Sequence, residues 1–305
     1  MLIPKNIYFF TLICCLGVVF TFSAPAQWGG SAGNTQGLDP FGQQDISSAL
    51  DRLNTNSVAE DASATSLDGY YIGRAVGANI LKQYKPYTRN PALTEYLNKI
   101  CSGITVNSPK PEIYNGYHLV ILDTEEINAF ASSGGHIFVT LGLIKLATSE
   151  DMLAAVIAHE VAHIQLEHAL GIIDEMKVYS SLRATADRAE AIASRGMSEE
   201  ERKLLFNSSI NQIVETLLKN GFSQEQEFQA DTQALSLLAS AGYNPNSLID
   251  MIRILGNNTR QSGGIKSTHP SPSMRINNLQ RTVRNFRVTD TTRYRVNRFK
   301  QFTRL

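Results

Sequence analysis

The sequence predicts a mainly α-helical protein with a small β-sheet, an α+β domain centred on a helix that carries two histidines. Three observations predict it. Apolar residues recur three and four apart over most of the chain beyond Leu67. Two short runs, "YHLVILDT" (117–124) and "GHIFVT" (135–140), are β-branched and apolar enough to be strands. The stretch "AAVIAHEVAHIQLEH" (154–168) places His159 and His163 four apart, with Glu160 beside the first.

A chain of 305 residues holds one large domain or two modest ones. Hydrophobic residues make up 43%, so a core can form, and 28 basic residues balance 28 acidic ones. That balance argues against nucleic acid as a partner, because such binders carry a basic excess. Residues 1–26 read as a signal peptide. Lys5 supplies the positive charge, residues 7–22 are almost wholly apolar, and Ala24-Pro25-Ala26 offers a small-residue cleavage site. An uncleaved anchor is the alternative, although the apolar run is shorter than a usual membrane span. Cys14 and Cys15 lie in no good lipobox, since Ile13 is bulky. Cleavage leaves Cys101 as the single cysteine, so the mature chain has no internal disulfide. The expected location is periplasmic or secreted, with the protein soluble or peripherally membrane-associated.

Along the chain, residues 27–66 form a flexible lead-in, rich in Gly, Ser, Asn and Gln. A domain of residues 67–283 follows. It opens with a helix from Leu67 and a second after Pro91, whose apolar stripe includes Cys101 as a buried, inert thiol. After the two strands, Thr148 and Ser149 start a helix with Glu150 and Asp151 in its first turn, running to about Leu170. Residues 171–222 read as two amphipathic helices joined near Gly196, either a lid over a cleft or a packed layer. Ser223 then caps a helix, with Gln226 at the capping-box position and Gly242 just past its end. "NSLIDMIRIL" is another helix, and "THPSPSMRINNLQ" is a turn feeding one that begins at Pro272. Residues 284–305 are a basic tail, read as a solvated strand alternating apolar and basic residues. Its alternative is attachment to anionic lipid or an acidic partner.

On a helix, residues four apart lie about 40° from each other and about 6 Å along the axis. His159 and His163 can therefore turn their imidazoles to one ion. Glu160 projects about 100° from His159, too far round to ligate but able to reach a water held there. That is the division of labour in H-E-x-x-H, two metal ligands and one general base. The alternative, an exposed helix with scattered histidines, fits poorly with the apolar "MLAAVIA" upstream. A catalytic zinc needs a third protein ligand. Glu227 in "EQEFQAD" is the best candidate, with Asp231 four residues on as the carboxylate that orients a ligand histidine. Helical geometry alone does not choose between Glu225 and Glu227. His168, about 140° round from His163, faces away and is structural or a surface hydrogen-bonder. His118 and His136, on strands, are structural.

The H-E-x-x-H helix, the later E-x-x-x-D helix, "NAFASSGGHIFVTLGLI", "AGYNP" and "STHPSPSMR" occur in that family's characteristic set: over roughly residues 70–280 the chain resembles the HtpX and CAAX-prenyl-protease family of zinc metallopeptidases, peptidase family M48. It lacks the spanning helices of the integral-membrane members. It is more similar to the secreted periplasmic branch of BepA-like and LoiP-like proteases, without the tetratricopeptide repeats of the BepA type.

The resemblance implies a thermolysin-like gluzincin site in which His159, His163 and Glu227 bind one zinc, Glu160 is the base and Asp231 orients a ligand. It implies His269 of "THPSP" as a donor to the oxyanion, or a fourth ligand that holds the enzyme off; a histidine packed in a turn is the alternative. Arg275 reads as a brace for that turn, with substrate binding the other reading. The backbone of Asn128, Ala129 and Phe130 is expected to form an edge strand that pairs with an extended peptide; the alternative is an ordinary hairpin. The implied function is an endopeptidase of the cell envelope acting on misfolded or stalled polypeptides, with a peripheral-membrane or outer-membrane assembly partner. A chaperone or assembly factor with a structural or self-blocked zinc is the competing class.

Overall fold

A computed structural model describes residues 66–113, 116–175, 199–258, 269–287 and 292–303. The expected signal peptide, the lead-in up to residue 65 and the helix junction near Gly196 lie outside them. Helix α1 (Ser66–Gln83) is followed by α2 (Pro91–Thr105), where the Asn90 side chain accepts from the Leu93 N–H and Pro91 takes the first helical position. Leu93, Leu97, Ile100 and Ile104 form its buried stripe, and Cys101 is buried beside them. Burial pushes the Cys101 thiol up to about 12, so it is inert as expected.

Strands β1 (His118–Leu122), β2 (Ala129–Ser132) and β3 (His136–Thr140) form one sheet in the order β1-β3-β2. β1 runs parallel to β3 and β2 antiparallel to it, so β3 is central and β1 and β2 are the outer strands. The β2–β3 turn passes through Gly134 (φ 80°) and Gly135 (φ 93°). A Cβ on Gly135 would sit 2.2 Å from the Gly116 carbonyl oxygen, which only glycine avoids. Thr140 ends β3 and caps α3 (Leu141–Leu146).

Ser149 caps α4 (Glu150–Gln165), the H-E-x-x-H helix, and nearly every residue of α4 is buried. Here the structure corrects an expectation. The helix does not run to Leu170: it stops at Gln165, Glu167 adopts φ 59°, and α5 (His168–Glu175) starts anew. Helix α6 (Glu199–Glu215) passes through one π-turn (Thr216–Asn220) to Gly221. α7 (Gln224–Ser240) has the expected capping box between Ser223 and Gln226. α8 (Asn246–Asn257) and α9 (Pro272–Thr282) also fall where expected, with Ser271 capping α9.

The tail departs from its reading as a strand. Residues Thr292–Phe302 form a helix, α10. Arg295, Arg298, Phe299 and Phe302 share one helical face, at spacing 3, 4 and 7, which the alternating reading missed. Arg295 pairs with Asp151 at 3.1 Å, Arg298 is bidentate to Glu150, and Phe302 stacks on Tyr96 with ring centroids 4.7 Å apart. The basic side chains thus answer the two acids in the first turn of α4.

The sheet separates two cores. Leu119, Ile121, Ala129, Ala131, Ile137 and Val139 face α2, α4, α7 and α8. Phe130, Phe138 and Leu122 face α1 and α6, through Ile72, Val76, Ile210 and Val214. Within the 171–222 segment, α6 and the π-turn after it bury Ile210, Ile213, Val214 and Leu217 in this second core. No helix among the described residues is long and apolar enough to cross a membrane.

Candidate metal centre

α4 and α7 pack against each other, and each brings one turn of polar side chains into the contact. From α4 come His159 and His163, from α7 Glu227 and Asp231, and from the segment entering α9 His269 and Arg275. His159 Nε2 and His163 Nε2 lie 3.1 Å apart. His163 Nε2 is 3.4 Å from Glu227 Oε1, and His159 Nε2 is 3.6 Å from Glu227 Oε2. Two ligand atoms of a tetrahedral zinc, at its usual bond lengths, stand about 3.3 Å apart. Glu227 Oε1 is sealed from solvent and makes no hydrogen bond, although His163 Nε2 is close by. An orphaned carboxylate oxygen facing two converging imidazole nitrogens fits a metal ion, and this donor set suits zinc.

His269 is the fourth group. Its Nδ1 lies 2.5 Å from Glu227 Oε2, and it joins His159 and Glu227 in a cluster compact enough for one ion. Asp231 Oδ1 is 3.1 Å from His159 Nδ1. Arg275 reaches across to Asp231 on α7. It is buried, donates from Nε and Nη2 to the two Asp231 oxygens at 2.8 and 2.5 Å, and brings Nη2 within 3.5 Å of His159 Nδ1.

The charges follow from this packing. Burial and Arg275 disfavour the His159 imidazolium, yet hydrogen bonds to Asp231 and Glu227 prevail and raise it to about 9. Burial also works to raise Glu227, but His269, His159 and His163 hold it well below the usual carboxylate range. Asp231 is likewise lowered against its own burial, by Arg275. Burial lowers His163 to about 3, aided by His159 and opposed by Glu227. Glu160 goes the other way: burial, with Glu227 adding to it, raises its carboxyl to about 7.

Glu160 lines a small cavity of about 30 Å³ with His159, His269, Arg275 and Ala129, and apolar Val156, Leu143 and Met251 line it too. A larger cavity of about 300 Å³ reaches His163 beneath Gly134 and Leu170 but does not touch Glu160. His159 and His269 thus line the same cavity as Glu160, and His163 lines the other.

Edge strand β2 runs past the same place. Thr140 N–H donates to the Asn128 carbonyl at 3.0 Å, and Asn128 N–H donates to Thr140 Oγ1 at 3.0 Å. By the alternation of an antiparallel ladder, Phe130 spends its backbone groups on β3, while Ala129 and Ala131 turn theirs to the side away from β3, where both residues are buried. Ala131 was not among the residues singled out in the sequence. The segment lies at one side of the sheet and is one arm of the β2–β3 hairpin.

His168 is the main surprise. The break at Glu167 swings it back, so it is buried with its Nδ1 2.9 Å from His163 Nδ1. Its Nε2 lies 3.2 Å from Gln229 Oε1, and Phe222 stacks on the His163 ring with centroids 4.0 Å apart. Helical spacing gave no signal for His168, Gln229 or Phe222. By contrast His136 and His118 stay on their strands, and burial holds His136 neutral, its value lowered to about 3.

Residues 88–283 match peptidase family M48. Among similar proteins, the beta-barrel assembly-enhancing protease of Escherichia coli K12 is 23% identical over 210 residues, covering 68% of this chain and 41% of that protein. The mitochondrial metalloendopeptidase OMA1 of Schizosaccharomyces pombe is 28% identical over 207 residues, 67% of this chain and 55% of that one. The metalloprotease LoiP of Escherichia coli K12 is 29% identical over 197 residues, 62% and 71%. The match with the first of these spans about two fifths of its length.

Proposed function

The chain belongs to peptidase family M48, and on that premise we propose that it is a zinc-dependent endopeptidase of the cell envelope with a thermolysin-like gluzincin site. One observation carries the reading. The Nε2 atoms of His159 and His163 and the Glu227 carboxylate converge within 3.6 Å of one another, with the raised Glu160 carboxyl lining the adjoining cavity. His159, His163 and Glu227 hold the ion, and Asp231 orients His159 through Nδ1. Bound there, zinc supplies Lewis-acid polarisation of water and of the scissile carbonyl.

The protein's own groups do the rest. Glu160, ionised, takes a proton from the attacking water as the new C–O bond forms. It returns that proton to the amine nitrogen as the C–N bond breaks, and the carboxylate is regenerated. The outward backbone groups of Ala129, in the stretch Asn128-Ala129-Phe130, and of Ala131 hold an extended peptide as an added strand, which makes little demand on its sequence. His269 has two roles in sequence: at rest it closes the site, and once substrate displaces it from Glu227 it donates to the oxyanion.

Low sequence demand suits misfolded or stalled envelope polypeptides as substrates. Delivery of residues 27–305 to the periplasm by the 1–26 signal, and contact with an outer-membrane assembly partner or the membrane surface, belong to the same proposal. The second reading is a chaperone or assembly factor with a self-blocked zinc, favoured by the 2.5 Å contact of His269 with Glu227.

The test is metal content and casein proteolysis on the mature chain beside Glu160→Gln and His269→Ala. The expected result is one zinc per chain and activity reduced about 10²-fold or more in Glu160→Gln, with activity raised in His269→Ala where closing the site dominates and lowered where oxyanion donation does. Absence of zinc, or full activity in Glu160→Gln, overturns the protease. Zinc with no proteolysis in any variant supports the chaperone.

A further inference from the structure

We infer that His168 is a positioning residue for the metal ligand His163, the inner end of a neutral hydrogen-bond relay that runs through Gln229 to Glu225. The inference rests on the metal-site reading above. Four groups and three contacts define the relay, and their directions can be read from one end to the other. Glu225 is a carboxylate, so the Gln229 amide nitrogen donates to its Oε1 at 3.2 Å. That orients the Gln229 amide oxygen toward His168, whose Nε2 lies 3.2 Å away. An amide oxygen only accepts, so His168 carries its hydrogen on Nε2. Its Nδ1 is therefore a bare acceptor, 2.9 Å from His163 Nδ1. His163 in turn carries its hydrogen on Nδ1, which leaves the Nε2 lone pair free, and Nε2 is the atom that faces His159 and Glu227. Each assignment forces the next, and the last is the tautomer a metal requires.

The two ligand histidines are thus held by different means. His159 leans on the charged Asp231, itself neutralised by Arg275. His163 leans on a chain with no formal charge until the distant Glu225. The helix break makes the second arrangement possible. On a continuous α4, His168 would point about 140° away from His163; the left-handed Glu167 returns it. Phe222, stacked on the His163 ring, fixes the ring plane from the other side.

The experiment is chelator-competition measurement of zinc affinity, with the melting temperature of the metal-free protein followed alongside. His168→Leu keeps bulk and removes the acceptor, and affinity is expected to fall about tenfold to a hundredfold. His168→Asn restores a carbonyl acceptor and is expected to recover most of the loss. A merely structural histidine would not discriminate between them. Affinity in folded His168→Leu within twofold of wild type, or no recovery in His168→Asn, overturns the inference. Should His168→Leu fail to fold, the outer link decides. Gln229→Leu is expected to bind zinc more weakly than Gln229→Glu, which keeps an acceptor oxygen; equal affinities overturn the relay. A wild-type chain that binds no zinc refutes the metal-site reading itself, a distinct outcome.

Discussion

At the residue scale, the behaviour of the site follows from a few buried charges that must be answered locally. Glu160 accepts a proton only when ionised, and burial holds its carboxyl up at about 7. A divalent ion beside it lowers that value, since opposite charge favours the ionised form. Activity is therefore expected to be full in neutral solution and to fail as pH drops through an acid limb below 7 in kcat/KM. A limb above 7 would assign the base to another group. Arg275 and Asp231 form a buried, doubly hydrogen-bonded pair. Removing one partner strands the other, so Arg275→Met should cost about 3–5 kcal/mol in urea unfolding of the metal-free chain. Adding Asp231→Asn to that variant should recover much of the loss, because the uncompensated charge is then gone.

At the element scale, the break between α4 and α5 decides what His168 can touch. Glu167 sits at φ 59° and donates its N–H to the Ile164 carbonyl at 3.1 Å. A left-handed conformation costs a non-glycine residue roughly 1–2 kcal/mol. Glu167→Gly should therefore raise the melting temperature with zinc affinity unchanged, since its ion pair with half-exposed Lys110 contributes little. Glu167→Pro imposes a φ near −65° and removes the N–H. It should lower both stability and zinc affinity; zinc affinity equal to wild type would mean that the break has no bearing on the centre. Close contact also fixes the hairpin on α1. A Cβ on Gly73 would meet the Ser133 carbonyl at 1.7 Å, so Gly73→Ala is expected to cost about 1–3 kcal/mol by overpacking, measured by thermal unfolding.

At the scale of the whole molecule, the C-terminal helix is part of the fold that carries the site. Glu150 is buried and answered by Tyr96, Tyr243 and Arg298, while Asp151 is answered by Arg295 and the Asn244 N–H. Arg295 and Asp151 are both shielded from solvent, whereas Arg298 is half exposed and its pair with Glu150 is correspondingly screened. Truncation before Thr292 is therefore expected to destabilise the domain strongly, with Arg295→Met accounting for about 3 kcal/mol of it. Unfolding curves of the two variants check this. Equal stability of truncated and full-length chains would return the basic tail to its reading as a solvated appendage.

Local chemistry alone determined much of this protein. The capping box at Ser223, the Pro272 start of α9, the two apolar strands and the one-sided helices were legible because each depends on residues within one or two turns. The pairing of His159 and His163 with Glu160 beside them was legible for the same reason, being set by the 3.6-residue period of a single helix. Choosing Glu227 over Glu225 needed either a resemblance to other proteins or the packing of α7 on α4. His168, Gln229, Phe222 and the grip of Arg275 on Asp231 came only with the tertiary structure. So did the C-terminal helix, whose basic face reads as solvated until Glu150 and Asp151 are seen to be buried beneath it. The physical reason is common to all of them. A buried charge or a ligand's tautomer is settled by whichever group packs within about 3 Å of it, and a partner tens of residues away leaves no period in the sequence.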